Sequence, residues 1–186
     1  MAYVFEPEDL THIVGRHTGA EIEALIPALT ADLDAAYPGA IMQHDRWVFS
    51  NAGGIMCKIL ILHASLSEYL MVCGTPFGSE GHSGRHLCDL WDIVLTGELR
   101  TYQEQDLRSQ VHHPGDCSHL PRGQANGSRM CDDTWLLEYC RGPIPAMLPF
   151  GLLDAFSSTL DVVGIRDTFA VYTQATLRAF SRRLSR

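Results

Sequence analysis

The central part of the chain consists of short apolar or β-branched runs separated by turn sequences. Between residues 47 and 141 the runs are interrupted by Asn51-Ala52-Gly53-Gly54, by Pro114-Gly115-Asp116 and by Asn126-Gly127. Clusters of glycine, proline and asparagine of this kind are typical of tight connections between strands. The pattern predicts many short strands in a closed or double-sheet β structure.

Helical periodicity flanks this β segment on both sides. The stretch 6–37 is predicted to form two helices, the second of which begins at a capping box that starts with Thr18. The stretch 143–186 is predicted to form a pair of amphipathic helices with an interruption at Gly164. We therefore expect residues 1–186 to form a single domain of the α+β class, mainly β.

Charge and hydropathy exclude two classes of protein. The net charge is −8, from 14 Lys plus Arg against 22 Asp plus Glu, and this acidic balance argues against binding nucleic acid through its phosphates. No apolar run approaches the ~18 residues that a membrane-spanning helix needs. The six cysteines form no CxxC pair, so we expect most of them to be small apolar core residues.

One carboxyl group lies in the middle of an otherwise apolar strand. Over residues 134–140, strand alternation places Glu138 on one face and Trp135, Leu137 and Tyr139 on the other. Both faces are largely apolar, so the strand is predicted to be buried on both sides. A carboxyl in such a dry setting has a raised pKa and needs a partner.

The segment 87–95 offers a second carboxyl. If this segment is extended, Asp92 lies on the same face as Cys88, and Asp89 lies on the opposite face. Two carboxyls that meet in an apolar cavity can share one proton and supply an acid and a base, or they can hold a cationic ligand. Glu138 and Asp92 are therefore the candidate catalytic pair, with Asp89 as a possible supporting residue.

A structural interpretation of Glu138 stays open, in which it forms a salt bridge with Arg141 or Arg85 or accepts backbone N–H groups. His63 and Glu68 are further candidates for a supporting catalytic role. For these two residues a structural, hydrogen-bonded role is the favoured alternative.

The histidine pattern does not predict a metal site. Gly84 separates His82 from His86 in a sequence typical of a tight turn, and no HExxH motif occurs. G-x-S-x-G, P-loop and G-x-G-x-x-G motifs are also absent. We expect neither a metal nor an organic cofactor.

Several blocks of sequence, in a fixed order along nearly the whole chain, match a known family. They are Trp47-Val48-Phe49, Asn51-Ala52-Gly53-Gly54, Leu62-His63-Ala64-Ser65-Leu66-Ser67-Glu68-Tyr69, Gly81-His82-Ser83-Gly84-Arg85, Thr134-Trp135, Glu138-Tyr139 and Arg141-Gly142. This set resembles the family of fungal sterol C8-isomerases and sigma non-opioid intracellular receptors. The segment 144–151 resembles the isomerase branch more than the receptor branch.

The resemblance implies a cupin-like, jelly-roll type β-barrel covered by the C-terminal helices, and assembly as a homotrimer. Family members are endoplasmic reticulum membrane proteins that usually begin with a membrane-spanning helix, and Met1 stands almost where that helix would end. The C-terminal helices carry polar interruptions such as Asp154, Asp161 and Asp167. We therefore expect a soluble or peripheral membrane protein whose membrane contact is through these helices.

The resemblance also implies a function. In the family, a glutamate at the position of Glu138 holds the ligand amine, and an aspartate at the position of Asp92 pairs with it in the receptor branch. Isomerase members move a ring double bond from Δ8 to Δ7 by adding a proton at one carbon and removing a proton from a neighbour. The leading hypothesis is a cofactor-free isomerase or cyclase acting on a hydrophobic sterol-like, terpenoid or polyene substrate.

Two other functions stay open at this point. The first is a non-catalytic binder of amphiphilic amines or lipids, and the second is a metal-dependent oxygenase, which only the fold favours. The resemblance further implies a set of residues that line the barrel and contact the substrate. They are Val48, Ile55, Ile59, Ile61, Tyr69, Met71, Leu90, Met130, Leu148 and Tyr172.

Overall fold

A computed structural model describes residues 3–184 of the chain. The described strands are β1 (Val48–Ala52), β2 (Ile55–Ala64), β3 (Glu68–Thr75), β4 (Ser79–His82), β5 (Asp89–Thr96), β6 (Leu99–Tyr102), β7 (Gln110–His112), β8 (Cys117–Leu120), β9 (Gly127–Met130) and β10 (Thr134–Arg141). The described α-helices are α1 (Pro7–Gly15), α2 (Ile22–Ala36), α3 (Leu148–Asp154) and α4 (Val162–Leu184).

The strands form two antiparallel sheets. The larger sheet has the order β1-β2-β3-β10-β5-β8, and the smaller sheet has the order β4-β9-β6-β7. From β3 onward, the hydrogen-bonded pairs β3–β10, β4–β9, β5–β8 and β6–β7 belong alternately to the larger and the smaller sheet. This alternation is the arrangement of a jelly roll. The prediction of a mainly β, cupin-like fold is confirmed.

The larger sheet is buried on both faces. Its outer face packs against α1 and α2, and this core includes Leu29 of α2 together with Leu62 and Leu137 of the sheet. Its inner face packs against the smaller sheet and α4, and this second core includes Leu136 and Met130. Strand alternation therefore separates a structural core outside the jelly roll from a core and cavity inside it.

The second N-terminal helix begins later than the predicted capping box. The helix α2 starts at Ile22 with Glu21 at its N-cap position, and no side chain caps it. The Thr18 hydroxyl donates instead to the Gly15 carbonyl oxygen, 3.2 Å away, at the end of α1. Thr18 is thus too far from the start of α2 to cap it.

The C-terminal helix pair is interrupted at Leu160, and not at Gly164 as predicted. A π-helical turn over Ala155–Thr159 follows α3, and Leu160 then adopts a left-handed conformation with φ 53°. The Asp161 carboxylate accepts a hydrogen bond from the Gly164 N–H at 2.8 Å. Asp161 therefore acts as the N-cap of α4, and Gly164 lies inside the first turn of this helix.

The polar residues of the C-terminal segment hold it against the jelly roll. The Asp154 carboxylate accepts a hydrogen bond from the Gly54 N–H at 3.1 Å, in the turn between β1 and β2. The Asp167 carboxylate pairs with Arg46 at 3.0 Å, just before β1. None of the helices in the described part of the chain combines the length and apolar character needed to span a membrane.

Candidate active site

A cavity of about 460 Å³ lies between the two sheets, a volume within the range typical of small-molecule sites. The inner face of the larger sheet provides one wall, and Leu99 and Met130 of the smaller sheet contribute to the opposite wall. Residues of α3, the π-helical turn and α4 close the remaining side, among them Leu152 and Thr168. Most side chains that line the cavity are apolar.

The structure places most of the residues that the family resemblance implies around this cavity. All of the implied residues except Val48 border the cavity. Val48 is buried in the inner core beside its strand partner Ile59. It therefore packs behind the wall and does not contact the cavity.

Glu138 and Asp92 lie directly opposite each other. They are register partners on the adjacent central strands β10 and β5, and both side chains line the cavity. Directly opposed side chains on one face of an antiparallel pair have their Cβ atoms about 4.5–5.5 Å apart. Both carboxyls are half-buried, and their exposed surface faces the cavity.

Two neighbouring side chains donate hydrogen bonds to Glu138. The Tyr69 hydroxyl lies 2.5 Å from Oε1, and the Cys73 thiol lies 3.7 Å from Oε2. Burial raises the pKa of Glu138, whereas these two donors stabilise its anion and lower the pKa in part. Both donors come from β3, whose inner-face residues alternate with residues of the outer core.

Asp92 lacks this support. Its Oδ1 atom is buried and has no hydrogen-bond partner. Burial raises the pKa of Asp92 well above its ordinary value, and the charge on Glu138 raises this pKa further. Of the two carboxyls, Asp92 is therefore the one whose protonated form is more strongly favoured, and Glu138 is the one whose anion receives hydrogen bonds.

No cation among the described residues pairs with these carboxyls. Arg85 pairs with Glu104, and Arg141 pairs with Glu6 at 2.9 Å, so the two arginines considered as structural partners of Glu138 are directed elsewhere. The anion is thus available to a cationic group that enters the cavity.

The thiols beside the carboxyls remain protonated at neutral pH. Burial and the neighbouring charge of Glu138 raise the pKa of Cys57 to about 12. The same two causes raise the pKa of Cys73. Neither thiol therefore competes with Glu138 as the anion of the site.

Glu68 lies on the opposite face of β3 from the cavity. Its carboxylate accepts hydrogen bonds from the Val4 N–H, at 3.0 and 3.1 Å, and from the Tyr139 hydroxyl, at 2.9 Å. The side chain is completely buried in these contacts. Its position is that of a structural residue that holds the N-terminal segment on the sheet.

His63 also lies away from the cavity. The register between β2 and β3 shifts between Ile61 and His63, so that His63 shares the helix-covered face with Leu70. Its Nδ1 atom hydrogen-bonds to the Ala40 carbonyl oxygen at 2.9 Å. Asp89, the third supporting candidate, pairs with Arg122 at 2.6 Å outside the jelly roll.

Sequence reasoning missed several residues of the site. Cys73 could have been found, since it alternates with Tyr69 and Met71 along β3. Met147 and Phe150 border the cavity from the segment that precedes and begins α3. Neither helical nor strand periodicity indicates that they face this site.

The described residues contain no group of three or more His, Cys, Asp or Glu side chains that could hold a metal ion. His82 and His86 use their rings locally: Nδ1 of His82 accepts from the Gly84 N–H at 2.9 Å, and Nε2 of His86 bonds to the Ser83 carbonyl oxygen at 3.0 Å.

Comparison with known proteins gives a consistent result. A family model described as "ERG2 and Sigma1 receptor like protein" matches residues 1–183. Sigma non-opioid intracellular receptor 1 of Xenopus tropicalis is 36% identical over 186 residues, covering 99% of this chain and 84% of the relative. C-8 sterol isomerase erg2 of Aspergillus fumigatus is 39% identical over 163 residues, covering 86% of this chain and 68% of the relative.

Among solved structures, KdgF from Halomonas sp. superimposes with a TM-score of 0.46 at 17% identity. The match covers 55% of this chain and 91% of that one. The cupin domain of Schizosaccharomyces pombe Cnp3 gives a TM-score of 0.42 at 15% identity, over 53% of this chain and 69% of that one.

Proposed function

The chain belongs to the family of ERG2 and Sigma1 receptor like proteins, and we propose that it is an isomerase that moves a carbon–carbon double bond within a hydrophobic, sterol-like substrate. One observation carries this proposal: Asp92 and Glu138 lie opposite each other on two adjacent central strands and border the same apolar cavity. The relative named C-8 sterol isomerase supports an isomerase over other chemistry.

In the proposed reaction Asp92 is the general acid. Its protonated carboxyl transfers a proton to one carbon of the double bond, and the electron pair of that bond forms the new C–H bond. A carbocation is left at the neighbouring carbon. An alkene is a weak base, so its protonation needs an acid that stays neutral until it reacts, and burial keeps Asp92 in that form.

Glu138 is the proposed base. Its carboxylate removes a proton from a carbon next to the carbocation, and the electron pair of the broken C–H bond becomes the new double bond. Substrate and product have the same composition, while one proton has moved from Asp92 to Glu138. Because the carboxyls are cross-strand neighbours, transfer of this proton back to Asp92 restores the starting state.

The cavity supports the carbocation in two ways. Its mostly apolar walls disfavour water, which would otherwise add to the cation. The negative charge of Glu138 has no cationic side-chain partner among the described residues, so the substrate cation is the charge it stabilises. No cofactor is needed for these steps.

A second candidate function is a non-catalytic binder of amphiphilic amines. The Glu138 anion, which has no cationic partner among the described residues, favours it, since a protonated amine could occupy the place of the carbocation. Several relatives at 34–36% identity are named sigma non-opioid intracellular receptor 1. Binding and catalysis would use the same cavity, so turnover is the property that distinguishes the two.

The experiment is an incubation of the purified protein with a Δ8-sterol in detergent micelles, followed by product analysis with gas chromatography and mass spectrometry. We expect a Δ7 isomer from the wild type, and no isomer from Glu138→Gln, which keeps the shape of the side chain and removes the base. Asp92→Asn, which removes the acid, should also lose turnover.

Binding of a radiolabelled hydrophobic amine to the same samples is the companion measurement. Amine binding to the wild type without turnover of any sterol would replace the isomerase proposal by the binder. A Glu138→Gln variant that isomerises at the wild-type rate would contradict both functions, because both depend on its charge. The matched control is Glu80→Gln, which changes an exposed glutamate outside the cavity lining.

We also propose that the protein is a homotrimer that contacts membranes peripherally through its C-terminal helices. Exposed apolar side chains support the membrane contact: Leu160, Val163 and Phe180 are between 58% and 68% exposed. Such a surface is typical of a segment that lies on a bilayer.

A further inference from the structure

Three sulfur atoms converge next to the cavity. The Cys88 thiol lies 3.1 Å from the Met147 sulfur, and the Cys140 thiol lies 3.5 Å from the same sulfur. The two cysteines come from different strand regions, with Cys140 in β10 and Cys88 just before β5. Met147 precedes the first residue of α3. We call Cys88, Cys140 and Met147 the sulfur cluster.

The sulfur cluster is buried in apolar surroundings. Cys88 is 4% exposed and Cys140 is completely buried, and Ile144 packs against both. The close approach of Cys88 to β10 requires Gly142, since a Cβ atom at this glycine would lie 2.4 Å from the Cys88 Cβ. The backbone is therefore arranged so that the two thiols can meet.

The thiols of the cluster are directed at sulfur. Each of them donates its single S–H hydrogen to the Met147 sulfur. The other described thiols of the inner core do not share this arrangement: Cys73, for example, donates to the Glu138 carboxylate. Two thiols and a thioether that face one point form a donor set of soft ligands only.

We propose that the sulfur cluster is a binding site for a soft monovalent metal ion, Cu(I), held by Cys88, Cys140 and Met147. Thiolate and thioether ligands select Cu(I) over the divalent ions that prefer nitrogen or oxygen. This site is distinct from the carboxyl pair, and it does not depend on the proposed isomerase reaction.

The geometry fits three-coordinate binding after a small movement. Metal–thiolate bonds are about 2.3 Å long, so three sulfurs around one ion in a plane are about 4 Å apart. The observed separations of 3.1 and 3.5 Å require the Met147 sulfur to move away from each cysteine sulfur by less than about 1 Å. The unbranched side chain of Met147 can provide this movement by rotation.

Charge and access are also compatible with the ion. Binding of Cu(I) replaces the two thiol protons, which leave to solvent, and the bound group of two thiolates and one monovalent cation carries a net charge of −1. Met147 borders the cavity, which gives the ion a path to the buried thiols. Because Met147 directly precedes α3, the bound ion would also fix the start of the segment that closes the cavity.

The experiment is an anaerobic titration of the reduced, full-length protein with Cu(I) against the chromophoric chelator bicinchoninate. We expect the wild type to retain one Cu(I) that Cys88→Ser and Cys140→Ser fail to retain. Met147→Leu, which keeps the volume of the side chain, should bind at least about 10- to 100-fold more weakly, the range for lost outer-shell partners of metal ligands. Cys131→Ser is the matched control, because this thiol donates to Glu98 and lies outside the cluster.

X-ray absorption at the copper edge identifies the ligands. The proposal expects sulfur neighbours only, about 2.3 Å from the metal. Nitrogen or oxygen ligands would overturn the proposal. Equal Cu(I) retention by the wild type and the Cys88→Ser and Cys140→Ser variants would also overturn it, and so would equal Cu(I) affinity of the wild type and Met147→Leu. A protein that binds no Cu(I) and forms a Cys88–Cys140 disulfide, found by peptide mass spectrometry, would also overturn it. Thermal unfolding of each variant checks that the variant is folded. If the buried cysteine variants do not fold, Met147→Leu still tests the site.

Discussion

The hydrogen bond from Tyr69 to Glu138 offers a quantitative test of how the site works. The hydroxyl lies 2.5 Å from the carboxylate and is one of two donors that stabilise its negative charge. Tyr69→Phe removes this donor and leaves the ring in place. Burial already raises the pKa of Glu138, and the Tyr69 hydroxyl opposes that effect, so its loss raises the pKa further.

The size of the effect follows from the strength of such a bond. Hydrogen bonds to charged groups contribute about 1.5–3 kcal/mol. At 1.36 kcal/mol per factor of ten, the population of the anionic base falls by between about 10-fold and about 150-fold on the acid side of the pH profile. At higher pH the carboxyl ionises without the hydroxyl, and the rate recovers toward the wild-type value. The acid limb of the pH–rate profile should therefore lie at higher pH in Tyr69→Phe than in the wild type.

The assay is the initial rate of isomerisation measured over a range of pH for the wild type and two variants. Tyr172→Phe is the matched control, since this tyrosine lines the same cavity and donates its hydroxyl to the Ser65 carbonyl oxygen at 2.8 Å. Its acid limb should stay in place. A Tyr69→Phe enzyme with the wild-type pH profile would refute the idea that this hydroxyl sets the ionisation of Glu138.

Three further expectations can be measured directly. Because burial raises the pKa of Asp92 in the folded state, the protein loses stability as the pH rises above the ordinary pKa of an aspartate. The melting temperature of Asp92→Asn should therefore increase relative to that of the wild type between pH 4 and pH 8. A difference in melting temperature that stays constant over this range would argue against a raised pKa. Isomerase activity should survive prolonged treatment with EDTA, whereas loss of activity that one divalent metal restores would point to metal-assisted chemistry. Analytical ultracentrifugation should find a homotrimer that also sediments with added lipid vesicles. A monomer would contradict the proposed trimer, and a protein that does not sediment with the vesicles would contradict the proposed membrane contact.

The position of Glu138 shows what strand alternation can predict. The face that it shares with Leu136 and Cys140 follows from period two alone, and the structure has the same faces. Its pairing with Asp92 could not be derived in this way, because neighbouring strands of a jelly roll lie far apart in the sequence. The family resemblance supplied that contact, and β10 between β3 and β5 provides it physically.

His63 shows where alternation fails. Counting in twos from Ile59 and Ile61 would place His63 on the cavity face. The register shift after Ile61 turns it to the helix-covered face, where it contacts Phe5 edge to face. A single extra residue in one strand reverses the faces that follow it, and a β-bulge of this kind has no reliable sequence signal.

The C-terminal segment was predictable as helix but not in its detail. The apolar repeat indicates helices, whereas the left-handed Leu160 and the N-cap at Asp161 depend on contacts with the jelly roll. The sulfur cluster also could not be predicted from the sequence. Met147 is far from Cys88 in sequence, and only the folded chain brings their sulfurs together.

The most direct test of the carboxyl-pair chemistry is isomerisation of a Δ8-sterol by the wild-type protein in D2O. The acid proton of Asp92 exchanges with solvent between turnovers, so we predict a Δ7 product that carries deuterium at the carbon that received the proton, located by mass spectrometry and NMR. An isomer formed without any deuterium, and also without exchange of hydrogen between labelled and unlabelled substrate molecules, would mean that hydrogen moves within the substrate. That result would contradict a reaction in which Asp92 donates a proton and Glu138 removes one.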